Sequence, residues 1–199
     1  MPRTSMEFSQ IPVIHDRLVR EWHAEETEAP ATGFDRLVIE QHRQNFALWH
    51  EEDRARAPHA SAEEVAQTKR SIDALNQARN DLIEAIDREL LELLAKNGTQ
   101  LRGELHSETP GMIIDRLSIL SLKIFHTREQ TERSDATAEH RASNQERLKI
   151  LLAQRQDLAE CLDKLGEDIQ AGRRYFKLYR QLKMYNDPEL NPEIYGAHK

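Results

Sequence analysis

At 199 residues the chain is long enough to bury roughly 70% of its unfolded surface behind one core, so no disulfide or metal staple is required for it to fold. Charged residues reach 32%, aromatics only 6%, and glycine and proline number seven each, a mix that favours long helices over a turn-rich sheet protein. Lys and Arg total 28 against 35 Asp and Glu, and the resulting net charge of -7 argues against generic affinity for nucleic acid or anionic membranes.

Cys161 is the single cysteine, which rules out an internal disulfide framework and fits a reducing cytoplasm. The opening MPRTSMEFSQIP lacks the apolar run of a signal peptide. No segment reaches the 18 or more apolar residues of a membrane span.

In chain order, the first helix is expected to start near Ser9, with Pro12 in its opening turn and Ile11, Ile14, Leu18 and Trp22 at helical spacing. After the loop EETEAPATG a second helix follows from Phe34 to about Ala57, burying Phe34, Leu37, Val38, Leu48 and Trp49. Ser61 and Glu64 form a capping-box signature, which opens a third helix from Ala62 to Lys96 that stops at Asn97-Gly98. Its apolar beat of seven residues (Ile72, Leu75, Leu82, Ile86, Leu90, Leu93) is broken by Arg79. A short link, TQLRGELHSE, leads to the fourth helix, with Thr109 as N-cap, Pro110 in the first turn and an end near Glu132. This helix is apolar on every side, through Ile113, Ile114, Leu117, Ile119, Leu122, Ile124 and Phe125, so its neighbours are expected to surround it. TERSDATAEHRASN has no apolar periodicity and reads as a turn or frayed end. A fifth helix runs from about Ser143 to Ala171 with the beat Leu148, Leu151, Leu158, Leu162, Leu165, Ile169, broken by Arg155. The final NDPELNPEIYGAHK, with Asp187-Pro188 and Asn191-Pro192, reads as an extended tail.

The residues able to carry chemistry gather around the fourth helix. Gly111 in its first turn weakens the helix, and close approach of a ligand to the backbone is one reason to accept that. Free N-H groups at a helix start bind phosphate or carboxylate, and His106 and Arg116 are near enough in sequence to help. Close helix packing at Gly111 is the plainer explanation, and Glu108 opposes an anion. Asp115 shares a strip with Met112, Ile119, Leu122 and His126. Buried, it needs partners, and Arg79 and Arg155 stand at core positions of their own helices. Either these charges and Glu52 form an internal ionic network, or the arginines converge on an anionic ligand with Asn45, Asn76 and Asn80 as donors.

For metals, His50 with Asp53 and Glu84 with Asp87 have one-turn spacing, but the Glu-x-x-His pattern of di-iron bundles is missing and no metal is expected. Arg173, Arg174, Lys177, Arg180 and Lys183 form a basic run interleaved with Tyr175, Phe176 and Tyr179, which suits a helix C-terminus better than nucleic acid. Cys161 flanks the fifth seam and reads as an inert, buried thiol.

Two resemblances extend these readings. IEAIDRELLELLAK looks like the first helix of the all-helical chorismate mutases, but Asn80 and Asn97 stand where that family needs arginines, so helix packing is shared and chemistry is not. NFALWHEEDRAR, NQARNDLIEAID, HSETPGMIIDRLSILSLKIFH and YNDPELNP, spread over most of the chain, resemble the bacterial family named domain of unknown function 4254. That resemblance implies a cytoplasmic all-helical protein with no assigned catalytic residue, in a family whose members occur near genes for cell-surface saccharide synthesis.

The expectation is one all-α domain over residues 1–199: an antiparallel bundle of about five long helices around a buried central helix, with 186–199 as an extended tail. Functionally it is a polar small-molecule site at the start of the central helix, for an anionic or sugar-phosphate-like ligand, drawn from His106, Thr109, Gly111, Asp115, Arg116, Arg79, Asn76, Asn80, Arg155 and Asn45. The alternative is a homodimer or partner-binding bundle without catalysis. No cofactor is implied, and neither membrane nor nucleic acid is an expected partner.

Overall fold

The computed structural model describes residues 8–182 and 189–190. Among these residues the protein is all-α, with five packed helices: α1 (Ile11–His23), α2 (Gly33–Ala55), α3 (Ala62–Lys96), α4 (Pro110–Glu132) and α5 (Ala138–Gln170). The helices start where the sequence supplies caps. At α3 the Ser61 hydroxyl accepts from the Glu64 N-H at 3.2 Å, and the Glu64 carboxylate accepts from the Ser61 N-H at 2.8 Å, which completes a capping box. At α4 the Thr109 hydroxyl accepts from the Met112 N-H at 3.2 Å, and Pro110 fills the first turn. Apart from Glu189 and Leu190, the expected 186–199 tail lies outside the described residues.

Helix α4 touches each of the other four helices. Ile113, Ile114, Leu117, Leu122 and Ile124 are buried along it, and they join Ile11 of α1, Val38 of α2, Ile86 and Leu90 of α3 and Leu162 and Leu165 of α5 in the core. Each such side chain contributes roughly 1.5–3 kcal/mol by leaving water. One side of α4 stays open. Arg116 and Lys123 are exposed there, with Ile119 and Leu120 half-buried between them.

Helix α5 begins five residues before the expected Ser143. Thr137 caps it, accepting from the His140 N-H at 3.1 Å, and the first turns are mostly exposed. A solvated helix start has no apolar face, so hydrophobic periodicity could not mark it. The links before α4 and after α5 also meet, as a parallel pair of two-residue strands, β1 (Glu104–Leu105) and β2 (Arg174–Tyr175). The Glu104 N-H donates to Arg173 O at 2.9 Å and the His106 N-H to Tyr175 O at 2.8 Å. Gly103 makes this contact feasible. Its φ is +94°, and a Cβ there would stand 2.1 Å from the Arg173 carbonyl oxygen.

Gly111 marks the closest crossing of α4 with α3. A Cβ at this position would lie 2.7 Å from Ile83 O and 2.9 Å from Asp87 Oδ1, and the first of these is backbone with little room to move. Gly111→Ala is therefore expected to destabilise the fold by about 1–3 kcal/mol through overpacking, despite the better helix propensity of alanine. Equilibrium urea unfolding of the variant against wild type checks this; equal midpoints would refute it.

Candidate functional site

The N-terminus of α4 is occupied from within the chain. The Gly111 N-H donates to Asp87 Oδ1 at 2.7 Å, and the Thr109 hydroxyl also bonds the Asp87 carboxylate. Both Thr109 and Asp87 are buried. The anion that a helix start attracts is thus a side chain of α3, and the missing side chain of Gly111 serves the crossing of two helices. Desolvation raises the Asp87 pKa to about 6, against the opposing pull of the Thr109 and Gly111 hydrogen bonds. At the same helix start, the His106 Nδ1-H donates to Glu108 O at 2.6 Å, and Arg116 pairs with Glu108 at 2.5 Å.

The inner face of α4 carries a closed polar seam. Asp115 Oδ1 accepts from Gln41 Nε2 at 2.5 Å, Asn45 Nδ2 at 2.9 Å and Arg79 Nε at 2.7 Å, while Arg79 Nη2 reaches Oδ2 at 2.5 Å. The guanidinium fork therefore grips the carboxylate with both prongs. Asn76 accepts from Arg79 Nη1 at 3.5 Å, and Asn80 takes part in none of these bonds. Asn45 Nδ2 also donates to Ser118 Oγ at 2.9 Å, and Ser118 lies 2.6 Å from His42 Nδ1. His42 Nε2 is 3.2 Å from the His15 carbonyl, which can only accept, so Nε2 carries the ring proton and Nδ1 accepts from Ser118. Burial lowers the pKa of His42 and holds that of His15 near 3, so both rings are neutral at physiological pH.

The two arginines serve different carboxylates. Arg155 bonds Asp16 of α1, whose other oxygen accepts from the Ser121 hydroxyl. Glu52 pairs instead with Arg56, one turn along an exposed face. Arg173 of the basic run donates to Asp168 at 2.7 Å, and Lys183 lies outside the described residues.

On the open side of α4 a groove of about 1150 Å³ runs between α4 and α5. Ile113, Ile119, Leu120 and Leu158 give it an apolar floor; His106, Arg116, Lys123, Lys164 and Arg174 face Glu108, Asp157 and Glu160 around it. Of the residues named from the sequence, His106 and Arg116 line this groove. Asp115, Asn45, Asn76, Asn80, Arg79 and Arg155 do not, and neither do the buried Thr109 and Gly111, which face Asp87 of α3. Cys161, expected to be buried, is exposed on the groove wall.

One cluster escaped sequence reasoning. His23 of α1, His50 of α2 and His126 of α4 bring ring nitrogens to within 4.8 Å of one another. Pairing His50 with Asp53 looked for ligands on one helix, whereas these come from three. A signal was present: each of the three histidines follows an aromatic residue, in Trp22-His23, Trp49-His50 and Phe125-His126.

Two measurements test the polar core. Asp115→Asn leaves the Arg79 guanidinium, three-quarters buried, without its countercharge, and is expected to lower stability by about 3 kcal/mol; a raised thermal midpoint would overturn this assignment. For Asp87, the folded protein retains a proton between pH 3.8 and about 6 that the unfolded chain has shed. Its contribution to stability is therefore greatest below pH 3.8, falls as pH rises through that window, and is flat above it. The stability difference between wild type and Asp87→Asn should drift against wild type by up to about 3 kcal/mol from pH 4 to pH 6.5; a constant difference would show that Asp87 has an ordinary pKa.

Among known proteins, no curated protein and no solved structure is significantly similar to this chain. Among its described residues, no helix is long and apolar enough to cross a membrane. A family model described as "Protein of unknown function (DUF4254)" matches residues 35–178, which takes in α2 to α5 with only the first two residues of α2 outside it, and the chain belongs to that family.

Proposed function

We propose that the protein binds a small anionic molecule of sugar-phosphate-like chemistry in the groove along the open side of α4. The observation that carries this reading is a local reversal of charge. In a chain of net charge -7, four Lys and Arg side chains with His106 face three carboxylates across an apolar floor. The floor suits the body of an organic ligand, and the cations suit its phosphate. Lys123 has no ion-pair partner among the described residues, and it lies two turns beyond Arg116 on the same exposed side. His106 has Nδ1 committed to the Glu108 carbonyl, which leaves Nε2 for a ligand.

Such a ligand agrees with the resemblance to a family whose members occur near genes for cell-surface saccharide synthesis. It also moves the site outward from the sequence expectation. Arg79, Asn45 and Asn76 are engaged around Asp115, so the ligand meets Arg116, Lys123 and His106 instead.

Calorimetric titration with glucose 1-phosphate and a uridine diphosphate sugar, with inorganic phosphate as control, tests the reading. The expected result is saturable binding of at least one organic phosphate, weakened about tenfold by either Lys123→Ala or Arg116→Ala, the loss of one charge-assisted hydrogen bond. Absence of binding at millimolar ligand, or binding indifferent to both substitutions, would overturn it.

A further inference from the structure

Beyond the groove, α1, α2 and α4 build a second arrangement that the polar seam does not absorb. His23 is the last residue of α1, where the helix dipole favours positive charge; His50 and His126 lie in the C-terminal halves of α2 and α4. The three rings offer one nitrogen each, all within 4.8 Å of one another. Two of the rings are already committed on their other side. His23 Nδ1 donates to Val19 O at 2.7 Å, and His126 Nδ1 donates to Glu129 Oε2 at 2.9 Å. The proton therefore sits on Nδ1 in each neutral ring, and Nε2 presents a lone pair. Both Nε2 atoms are buried and have no hydrogen-bond partner among the described residues.

Aromatic neighbours hold the rings in place. Phe125 stacks on His23 at 4.3 Å, Trp49 lies nearly parallel to His126 at 4.7 Å, and Phe46 meets His50 edge-on at 4.6 Å. We propose that His23, His50 and His126 bind one divalent zinc ion through three imidazole nitrogens, with a fourth position left for water or a ligand.

The donor set selects the metal. Three neutral imidazoles suit zinc and its neighbours in the first transition row, whereas magnesium and calcium demand oxygen ligands. A backbone carbonyl on His23 and a carboxylate on His126 are the partners that fix tautomer and ring orientation around zinc-bound histidines. Zinc-nitrogen bonds of about 2.0–2.1 Å in a tetrahedron place the nitrogens about 3.3 Å apart, so no pair has to close by more than about 1.5 Å on binding.

Unpaired nitrogen alone is not the argument, since His15 also has two. His15, however, is fully buried and stacked on His42, with no third donor beside it among the described residues. Convergence of three rings from three helices distinguishes the proposed centre. Three protein ligands with an open position is also the arrangement of reactive zinc sites, where structural sites are closed by a fourth side chain.

The test uses the untagged full-length chain, stripped of metal with a chelator. Zinc titration should show one ion per chain, and cobalt(II) should give the strong visible absorption of a tetrahedral nitrogen site. His50→Ala, at a half-buried position, should lower zinc affinity at least 100-fold. Glu129→Gln on the exposed side should lower it 10–100-fold by loosening His126. Failure of the wild-type chain to take up zinc at micromolar concentration, or uptake by His50→Ala as tight as wild type, would overturn the proposal. Should His23→Ala or His126→Ala fail to fold, His50→Ala and Glu129→Gln still decide the matter.

Discussion

A carboxylate carried into the interior on α4 needs countercharge and hydrogen bonds, and Asp115 sets that requirement for the helices around it. Its oxygens accept from α2 through Gln41 and Asn45, and from α3 through both prongs of Arg79. Leucine and isoleucine seams tolerate a slide of one turn, because one aliphatic side chain can take the place of another. A bidentate fork on a buried carboxylate does not tolerate it, since the slide separates two charges in a poorly solvated place and costs several kcal/mol. Arg155 and Ser121 on Asp16 act in the same way between α5, α4 and α1. Two ionic clamps thus fix the register of helices whose apolar faces alone would leave it loose.

The sequence made much of this legible. Caps at Ser61 and Thr109 and the stop at Asn97-Gly98 located α3 and α4 to the residue, because capping chemistry is local. The interruptions of the heptad beat fall at Arg79 and Arg155, two half-buried cations that each pair with a carboxylate of another helix. The partner of Arg79 was half readable: Asp115 was expected to be met by Arg79 and Arg155 together, and Arg79 is the arginine that takes it. The partner of Arg155 was not. Asp16 looks like an ordinary polar position of an amphipathic helix, and only the placement of α1 against α4 and α5 brings it to the arginine.

Gly111 shows the same limit from the other side. A glycine in the first turn of a helix signals close approach, but the sequence does not say what approaches. Here it is the Ile83 carbonyl and the Asp87 carboxylate of α3, and the anion-attracting helix start is filled by the protein itself. The consequence reaches the site. With the inner donors engaged by Asp115 and the helix start by Asp87, His106 and Arg116 are the members of the expected set that line the groove, together with Lys123, Lys164 and Arg174, which no local pattern had joined to them.

The α1–α2–α4 seam is best understood from its two ends. From Asp115 through Asn45, Ser118 and His42 to the His15 carbonyl, donors and acceptors match along the chain of bonds, and one oxygen of Gln41 and the two nitrogens of His15 have no partner among the described residues. At the other end, His23 and His126 present nitrogen lone pairs to each other and to His50, and lone pairs cannot satisfy lone pairs. Imidazole pairs resolve such a conflict by taking up a proton or by sharing an electrophile. Burial and the neighbouring imidazoles lower the His50 pKa. A metal cation reverses the sign of that electrostatic problem, since nitrogen lone pairs of all three rings attract it at once. Polar complementarity is therefore internal along most of this seam, and at its histidine end it calls for a cation from outside the chain.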